Sequence, residues 1–113
     1  MDCLFCKIIS GEIPSNKVYE DDRIYAFYDI HPEAPVHFLV IPKAHIASAN
    51  ELTPENVSVI AHIFAVIPQL ARDLGIAENG YRIVNNCGRD GQQSVQHLHF
   101  HVLGGRSMQW PPG

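Results

Sequence analysis

Five short segments of the chain carry the hydrophobic pattern of β-strands, with β-branched and aromatic residues bounded by turn-forming residues. They are residues 18–20, 23–29, 36–41, 81–85 and 95–103. The acidic turn Glu20-Asp21-Asp22 joins the first two segments and predicts a hairpin.

A longer pattern predicts one main helix. Thr53 is a suitable N-cap, Pro54 fits the first helical position, and Gly75 ends the pattern. Between them, hydrophobic residues at steps of three and four predict one buried stripe of Val57, Ile60, Ala61, Phe64, Ile67, Leu70, Ala71 and Leu74. A shorter helical turn is predicted at residues 3–10, before the breakers Gly11 and Pro14.

Together these elements predict an α+β fold. It would contain an antiparallel sheet of about five strands, one long helix and a short amino-terminal helix. A chain of 113 residues corresponds to one domain, spanning 1–113.

The composition of the chain limits the classes of partner that it is expected to bind. The net charge is −4, and the eight Lys and Arg residues are scattered, which argues against a nucleic-acid partner. No hydrophobic stretch approaches the ~20 residues of a membrane span, and the amino terminus lacks the pattern of a secretory signal. We therefore expect a cytoplasmic protein with no membrane partner.

The main chemical feature is the sequence His-Leu-His-Phe-His-Val-Leu at residues 97–103. In an extended strand alternate side chains share a face, so His97, His99 and His101 would project together. Three buried imidazoles without partners would cost roughly a kcal/mol or more each. This face is therefore expected to hold ligands, hydrogen-bond partners or an open pocket.

The spacing leaves two chemical interpretations open. His97 and His101 would lie roughly 13 Å apart, too far to share one metal ion. The row is then either a two-histidine chelate or a central nucleophile with a partner on each side; the third alternative is a half-exposed strand that happens to be rich in histidine. The preceding loop, residues 86–94, contains two glycines, amides and a hydroxyl, and its N–H groups are suited to hold a phosphate, which favours catalysis.

The row matches the signature of the histidine triad (HIT) superfamily, H-φ-H-φ-H-φ-φ with φ apolar. Segments over nearly the whole chain resemble the Hint branch, the purine nucleoside phosphoramidases. These segments are Phe5-Cys6-Lys7-Ile8-Ile9, Glu12-Ile13-Pro14, Glu20-Asp21-Asp22, residues 34–43, Gln93-Ser94-Val95, Leu103-Gly104-Gly105-Arg106 and Trp110-Pro111-Pro112-Gly113. The chain departs from the common Hint pattern at Gln92, usually glycine, and at Tyr28, often histidine. A side chain at position 92 is disfavoured if the loop needs a conformation that glycine prefers.

The resemblance implies a hydrolase that cleaves purine nucleoside 5'-phosphoramidates through a covalent nucleotidyl-histidine. It implies that His99 is the nucleophile, that His101 binds the phosphate, that His37 orients the triad and that Ser94 assists catalysis. Nucleotide contacts are implied for Phe5, Phe27, Asp29, Ile30, Leu39, Asn86, Gln93 and Val95, besides His99 and His101.

The pair Cys3 and Cys6 is by itself a weak signal. A subset of HIT proteins carries a structural zinc, and resemblance to that subset implies the ligands Cys3, Cys6, His45 and His97. Four protein ligands make a closed structural site. Alternatively, Cys6 packs as a small hydrophobic residue and His45 is exposed without a function.

The resemblance further implies a homodimer in which Trp110 approaches the partner's site. Two other functions stay open, a dinucleoside polyphosphate hydrolase or phosphorylase of a sister HIT branch, and a nucleotide-binding regulatory module without catalysis. Cleavage of a diadenosine polyphosphate, or tight binding without turnover, would distinguish them.

Overall fold

The computed structural model describes residues 2–113, and its elements confirm the predicted α+β class. Two helices, five strands and one 3-10 turn follow one another along the chain. In order they are α1 (Leu4–Ser10), β1 (Lys17–Glu20), β2 (Ile24–Tyr28), β3 (Val36–Pro42), the 3-10 turn (Ala49–Glu51), α2 (Ser58–Asp73), β4 (Tyr81–Val84) and β5 (Phe100–Gly104).

The five strands form one antiparallel sheet in the order β1-β2-β3-β5-β4. The predicted hairpin joins β1 and β2, and the Asp21 carboxylate closes its turn by accepting from the N–H groups of Arg23 at 2.8 Å and Ile24 at 2.9 Å. In the register of the sheet, Phe27 lies opposite Leu39, and Leu39 lies opposite His101. These three side chains therefore form a row across the sheet on one face.

Both faces of the sheet are covered, because the residues of β2 and β3 alternate between two hydrophobic cores. Ala26, Phe38 and Val40 pack in the core that includes the buried residues of α2. Tyr25, Phe27, Leu39 and Ile41 point the other way and pack with Phe5 and Ile8 of α1. The row that ends at His101 belongs to the α1 side.

Helix α1 is short, and its first turn is held by a cysteine. The Cys6 N–H donates to Sγ of Cys3 at 3.3 Å, so Cys3 acts as the N-cap. Cap and third helical position lie on the same side of the first turn. The capping contact therefore brings the two sulfur atoms together.

The predicted start of the long helix was wrong by four residues, since α2 begins at Ser58. Asn56 accepts from the Thr53 N–H at 2.8 Å through its side chain, and Val57 N–H donates to the Thr53 carbonyl. This local side-chain bond favours a separate turn over a capped helix. The predicted end of the helix was correct, because Gly75, at φ +77°, follows its last turn. Within residues 2–113, no helix is long and apolar enough to cross a membrane.

The buried stripe of α2 is also rotated from the predicted one. Val57 and Phe64 are 45% and 46% exposed. The residues that face the sheet are Val59, Ile63, Ile67, Leu70 and Ala71. The helix is hydrophobic on more than one side, so periodicity alone does not determine which side packs.

The histidine strand is shorter than predicted. Regular pairing starts at Phe100, and residues 95–97 form a bend that places His97 and His99 before the strand. Here the backbone bonds to a loop, since the Leu98 N–H donates to the Ile46 carbonyl at 2.6 Å. His99 and His101 still share a side, with ring centroids 5.1 Å apart. His97 takes a different direction.

Candidate functional site

A cleft of about 240 Å³ lies between α1 and the sheet. Its far wall holds the end of the row formed by Phe27, Leu39 and His101. The lining residues are Leu4, Phe5, Ile8, Ile13, Pro14, Ser15, Phe27, Tyr28, Asp29, Ile30, Leu39, Ser94, Val95, His99 and His101. The structure thus brings together most residues that the sequence assigned to nucleotide binding and catalysis.

His99 is held in one tautomer by the backbone. Its Nδ1 lies 2.7 Å from the carbonyl oxygen of His97, and a carbonyl only accepts, so Nδ1 carries the proton and donates. The other ring nitrogen, Nε2, then keeps its lone pair. Burial, at 2% exposure, lowers the pKa of His99 and keeps the ring neutral at neutral pH. A neutral imidazole with a free Nε2 is a nucleophile.

The backbone around His99 is also fixed by a residue that the sequence did not single out. Asn85, at the end of β4, donates from Nδ2 to the His99 carbonyl at 2.9 Å. Asn85 is the last residue of the predicted strand 81–85, and nothing in its local pattern indicates this role. The contact depends on tertiary structure alone.

A second chain of hydrogen bonds sets the tautomer of His101. The backbone N–H of Glu33 donates to Nδ1 of His37 at 3.0 Å, so the His37 proton lies on Nε2. His37 Nε2 then donates to Nδ1 of His101 at 2.9 Å. His101 therefore carries its proton on Nε2, the nitrogen that is left for a ligand.

Burial comes first among the causes that lower the pKa of His101 to about 4, and the neighbouring rings of His99 and His37 add to it. Burial likewise lowers the pKa of His37. Both rings are neutral at pH 7. His101 thus presents a neutral N–H donor beside the nucleophilic nitrogen of His99.

Asp29 lies between the sheet and this histidine pair. Its Oδ1 accepts from the His31 N–H at 2.8 Å, and its Oδ2 lies 3.4 Å from His37 Nε2 and 3.9 Å from His101 Nδ1. The carboxylate also lines the cleft. It is therefore available to a ligand and contributes negative charge beside His37.

Asn86 and Gln93 lie outside the cleft walls in the described part of the chain. The Gln93 amide connects backbone segments: Nε2 donates to the carbonyls of Ala47 at 2.8 Å and Val95 at 2.9 Å, and Oε1 accepts from the Gly88 N–H. Through these bonds the Gln93 side chain stabilises the conformation of the loop. Both amide protons of Gln93 are therefore taken by backbone carbonyls, and the contact of Gln93 with a nucleotide stays a prediction.

The departure at Gln92 has a clear structural consequence. Gln92 has φ +61°, in the left-handed region, and it is the one non-glycine residue with positive φ among the residues described. The preceding Gly91 is required for a different reason, because a Cβ there would lie 2.5 Å from the Cys87 carbonyl oxygen. The loop therefore keeps a conformation that suits glycine and holds a glutamine in it.

A separate cluster of potential metal ligands has its ligand atoms within 4.8 Å of one another. Its members are Cys3, Cys6, His45 and His97. His97 Nε2 donates to the Pro42 carbonyl at 2.8 Å, which leaves its Nδ1 lone pair facing the cluster. That Nδ1 lies 3.3 Å from Cys3 Sγ, 3.6 Å from Cys6 Sγ and 3.2 Å from His45 Nδ1.

These separations fit a metal ion with tetrahedral coordination. Ligand distances typical of zinc place two nitrogens about 3.3 Å apart and a nitrogen and a sulfur about 3.6 Å apart. The Cys6 Sγ to His45 Nδ1 distance, 3.4 Å, fits as well. The four residues can hold a metal ion, and the hydrogen bond from His97 Nε2 to the Pro42 carbonyl orients the ring as is usual for a histidine ligand.

The described structure also places residues in the cleft that sequence analysis passed over. Ile13 and Pro14 were noted as part of a Hint-like segment, Pro14 also as a helix breaker, and Ser15 was given no role, yet all three line the cleft. Tyr28 was noted as a departure from the Hint pattern and is 37% exposed at the cleft. Pattern reasoning had no signal for Ser15, because it follows a proline outside any regular element.

Comparison with known proteins gives one family match over nearly the whole chain. Residues 2–110 match the family described as scavenger mRNA decapping enzyme C-terminal binding. An uncharacterized HIT-like protein of Synechococcus elongatus is 51% identical over 112 residues, which cover 99% of this chain and 97% of the relative.

Solved structures give the same result. A HIT family hydrolase from Legionella pneumophila is 50% identical with a TM-score of 0.96, and the match covers 99% of this chain and 100% of that one. A histidine triad nucleotide-binding protein from Candida albicans is 38% identical with a TM-score of 0.83, covering 97% of this chain and 83% of its own.

Proposed function

Because the chain belongs to the HIT superfamily, we propose that this hydrolase-like nucleotide-binding protein cleaves purine nucleoside 5'-phosphoramidates, as the Hint branch does. The observation that carries the proposal is the pair of opposite tautomers at 5.1 Å between ring centroids, with an unprotonated Nε2 on His99 and a protonated Nε2 on His101. One ring supplies a nucleophile and the other supplies a hydrogen-bond donor.

In the first step His99 Nε2 attacks phosphorus, and the bond between phosphorus and the amine nitrogen breaks. The leaving amine takes up a proton from solvent, while the Nε2–H of neutral His101 donates a hydrogen bond to a phosphate oxygen. The attacking imidazole becomes a cation, which the His97 carbonyl stabilises through the Nδ1–H bond. The product of this step is a nucleotidyl-His99 and a free amine.

In the second step water attacks the same phosphorus. One proton of the water returns to solvent, and the bond between phosphorus and His99 Nε2 breaks. A nucleoside monophosphate leaves, and His99 returns to its neutral form with the proton on Nδ1. Throughout both steps, the hydrogen bond from His37 Nε2 holds the His101 ring in one orientation.

The remaining cleft residues support a nucleotide as the ligand. Ser94 and Val95 lie beside the histidines, where a hydroxyl and a backbone N–H suit phosphate oxygens. Asp29 suits the ribose hydroxyls, and an apolar enclosure suits a purine. We assign that enclosure to Phe5, Phe27, Ile30 and Leu39.

For the cysteine–histidine cluster we propose a structural zinc held by Cys3, Cys6, His45 and His97. The tetrahedral separations and the inward lone pair of His97 support it. Bound zinc would cross-link α1 to the segment before β5. Its ligand set leaves no coordination position for a substrate.

We further propose a cytoplasmic homodimer. Trp110 is 81% exposed and Ile30 is 83% exposed, so large hydrophobic side chains remain uncovered in one protomer. In the proposed dimer Trp110 approaches the partner's cleft. The cytoplasmic location accords with the use of Cys3 and Cys6 as reduced ligands.

The decisive experiment is mass spectrometry of protein quenched during turnover of adenosine 5'-phosphoramidate. We expect an added adenylyl group on His99, and we expect turnover to fall on the order of 10³-fold or more in His99→Asn. Full activity of that variant would overturn the proposal.

A parallel assay with diadenosine polyphosphate tests the sister activity. Faster cleavage of that substrate than of the phosphoramidate would replace the proposed substrate class. Tight nucleotide binding without turnover of either substrate would instead indicate a binding module. Metal analysis of the same sample tests the zinc assignment separately.

A further inference from the structure

One polar contact at the cleft has no place in the mechanism described above. Ser15 Oγ lies 2.7 Å from the hydroxyl oxygen of Tyr25. Ser15 is half-buried and lines the cleft, whereas Tyr25 is 7% exposed and lies behind it in the core on the α1 side. Of the other polar residues that line the cleft, Asp29 and Ser94 are assigned above to ribose and phosphate.

The sheet register places this pair at the opposite end of the cleft from the chemistry. His101, Leu39, Phe27 and Lys17 are successive partners across β5, β3, β2 and β1. Three strand spacings separate the ends of the row by roughly 14 Å. Ser15 lies two residues before β1. A nucleotide whose phosphate lies at His99 and His101 can therefore extend its base along this row toward Ser15.

The hydrogen-bonding capacity of the two hydroxyls defines what Ser15 can offer. Among the described residues, Ser15 is the one hydrogen-bond partner of the buried Tyr25 hydroxyl, so Tyr25 donates its proton there. A serine hydroxyl has one proton and two lone pairs. One lone pair accepts from Tyr25. One proton and one lone pair therefore remain for a ligand.

The free proton and the free lone pair of the Ser15 hydroxyl complement the edge of either common purine at its six-position. Adenine presents an amino donor beside a ring-nitrogen acceptor, and guanine presents an oxo acceptor beside a ring N–H donor. A single hydroxyl with both functions free can bind either edge. The apolar walls beside it, Ile13 and Pro14, hold no competing polar side chain.

We propose that Ser15, positioned by Tyr25, recognises the six-position of the purine and accepts both 6-amino and 6-oxo bases. This inference rests on the proposed nucleotide-binding function and specifies its substrate class. Ser15 acts as a specificity-determining residue, and Tyr25 is a positioning residue that directs the free proton of Ser15 into the cleft.

The test measures dissociation constants of the 5'-monophosphates of adenosine, guanosine and purine riboside, which lacks a six-substituent, by calorimetry on the full chain. We expect the first two to bind about five- to tenfold more tightly than the third, as for one neutral hydrogen bond. In Ser15→Ala the gap should shrink to less than twofold. In Tyr25→Phe it should shrink partly, because Ser15 stays but loses its orientation.

Ser58→Ala is the matched control, since Ser58 lies on α2 across the sheet from the cleft, and it should keep the full gap. No gap in the wild type, no binding of any of the three, or equal weakening of all three by Ser15→Ala would overturn the inference. The monophosphates require no turnover. A preserved gap without any adenylyl-His99 would therefore uphold the subsite while rejecting the proposed reaction.

Discussion

The carbonyl oxygen of His97 accepts a hydrogen bond from His99 Nδ1 at 2.7 Å, while the His97 ring turns its own Nδ1 toward Cys3 Sγ at 3.3 Å. One residue therefore serves two sites. Its backbone carbonyl sets the tautomer of His99, the proposed nucleophile, and its side chain belongs to the cluster of Cys3, Cys6, His45 and His97. Whatever fixes His97 also fixes the direction of His99.

Removal of a metal from this cluster is expected to lower both stability and activity. When free zinc exceeds its dissociation constant 1,000-fold, binding stabilises the folded chain by about 4 kcal/mol. Cys6→Ser should lose bound zinc and this stabilisation, and its kcat should fall because His97 is less firmly held. Denaturant unfolding with and without chelator, together with metal analysis, measures these effects.

Cys87→Ser provides the control for the metal prediction, because Cys87 lies outside the cluster. It should bind one zinc per chain like the wild type. Equal stability of the wild-type chain with and without chelator would contradict a structural role.

Loss of His37 should reduce kcat more than it changes KM. His37→Ala removes the donor to His101 Nδ1, so the His101 proton is no longer confined to Nε2. We expect kcat to fall about 10–100-fold, less than the roughly 10²–10³-fold cost of removing a transition-state hydrogen-bond donor itself, because the variant misdirects His101 without removing it. Steady-state kinetics on a phosphoramidate checks this, with His31→Ala, an exposed histidine, as the control. A changed KM with unchanged kcat would contradict the assigned role.

Replacement of Gln92 by glycine should stabilise the folded protein. At φ +61°, a side chain costs about 1 kcal/mol that glycine avoids. Gln92→Gly should raise the free energy of unfolding by about that amount, as measured in urea. Gln92→Ala removes the side-chain contact to the Arg89 carbonyl but keeps the Cβ, so it should bring no gain. A stabilised alanine variant would refute the backbone explanation.

Stability should fall as the solution becomes acidic. The pKa of His101 is about 4 in the folded chain and 6.5 ordinarily, so between these values the unfolded chain binds more protons. The free energy of unfolding therefore decreases as the pH falls through this window, by about 2 kcal/mol between pH 6.5 and pH 5 for this group. Urea unfolding at several pH values measures it.

The variant His101→Asn isolates this contribution, because asparagine does not titrate in the same window. Its stability should decline less steeply than that of the wild type between pH 6.5 and pH 5. Identical slopes for the two proteins would show that His101 is not responsible.

The hydrophobic pattern predicted the strands and the hairpin well because each depends on neighbours in sequence. The turn at Asp21 and the end of α2 at Gly75 are of this kind, since a side-chain cap and a glycine act locally. The start of α2 was missed because a local bond between Asn56 and Thr53 competes with the expected cap. Which side of α2 is buried depends on the sheet that it meets.

For the site, the sequence by itself determined the residue types, the alternation of His99 and His101, and the signature of the HIT superfamily. The grouping of Cys3 and Cys6 with two histidines was implied only by resemblance to a subset of that superfamily. Only the tertiary structure decided which nitrogen of each ring carries the proton. Those tautomers depend on a carbonyl at His97, an amide at Glu33 and a carbonyl at Pro42. Backbone groups of this kind are the same at every residue, so no sequence pattern marks them, and their direction exists only once the chain has folded.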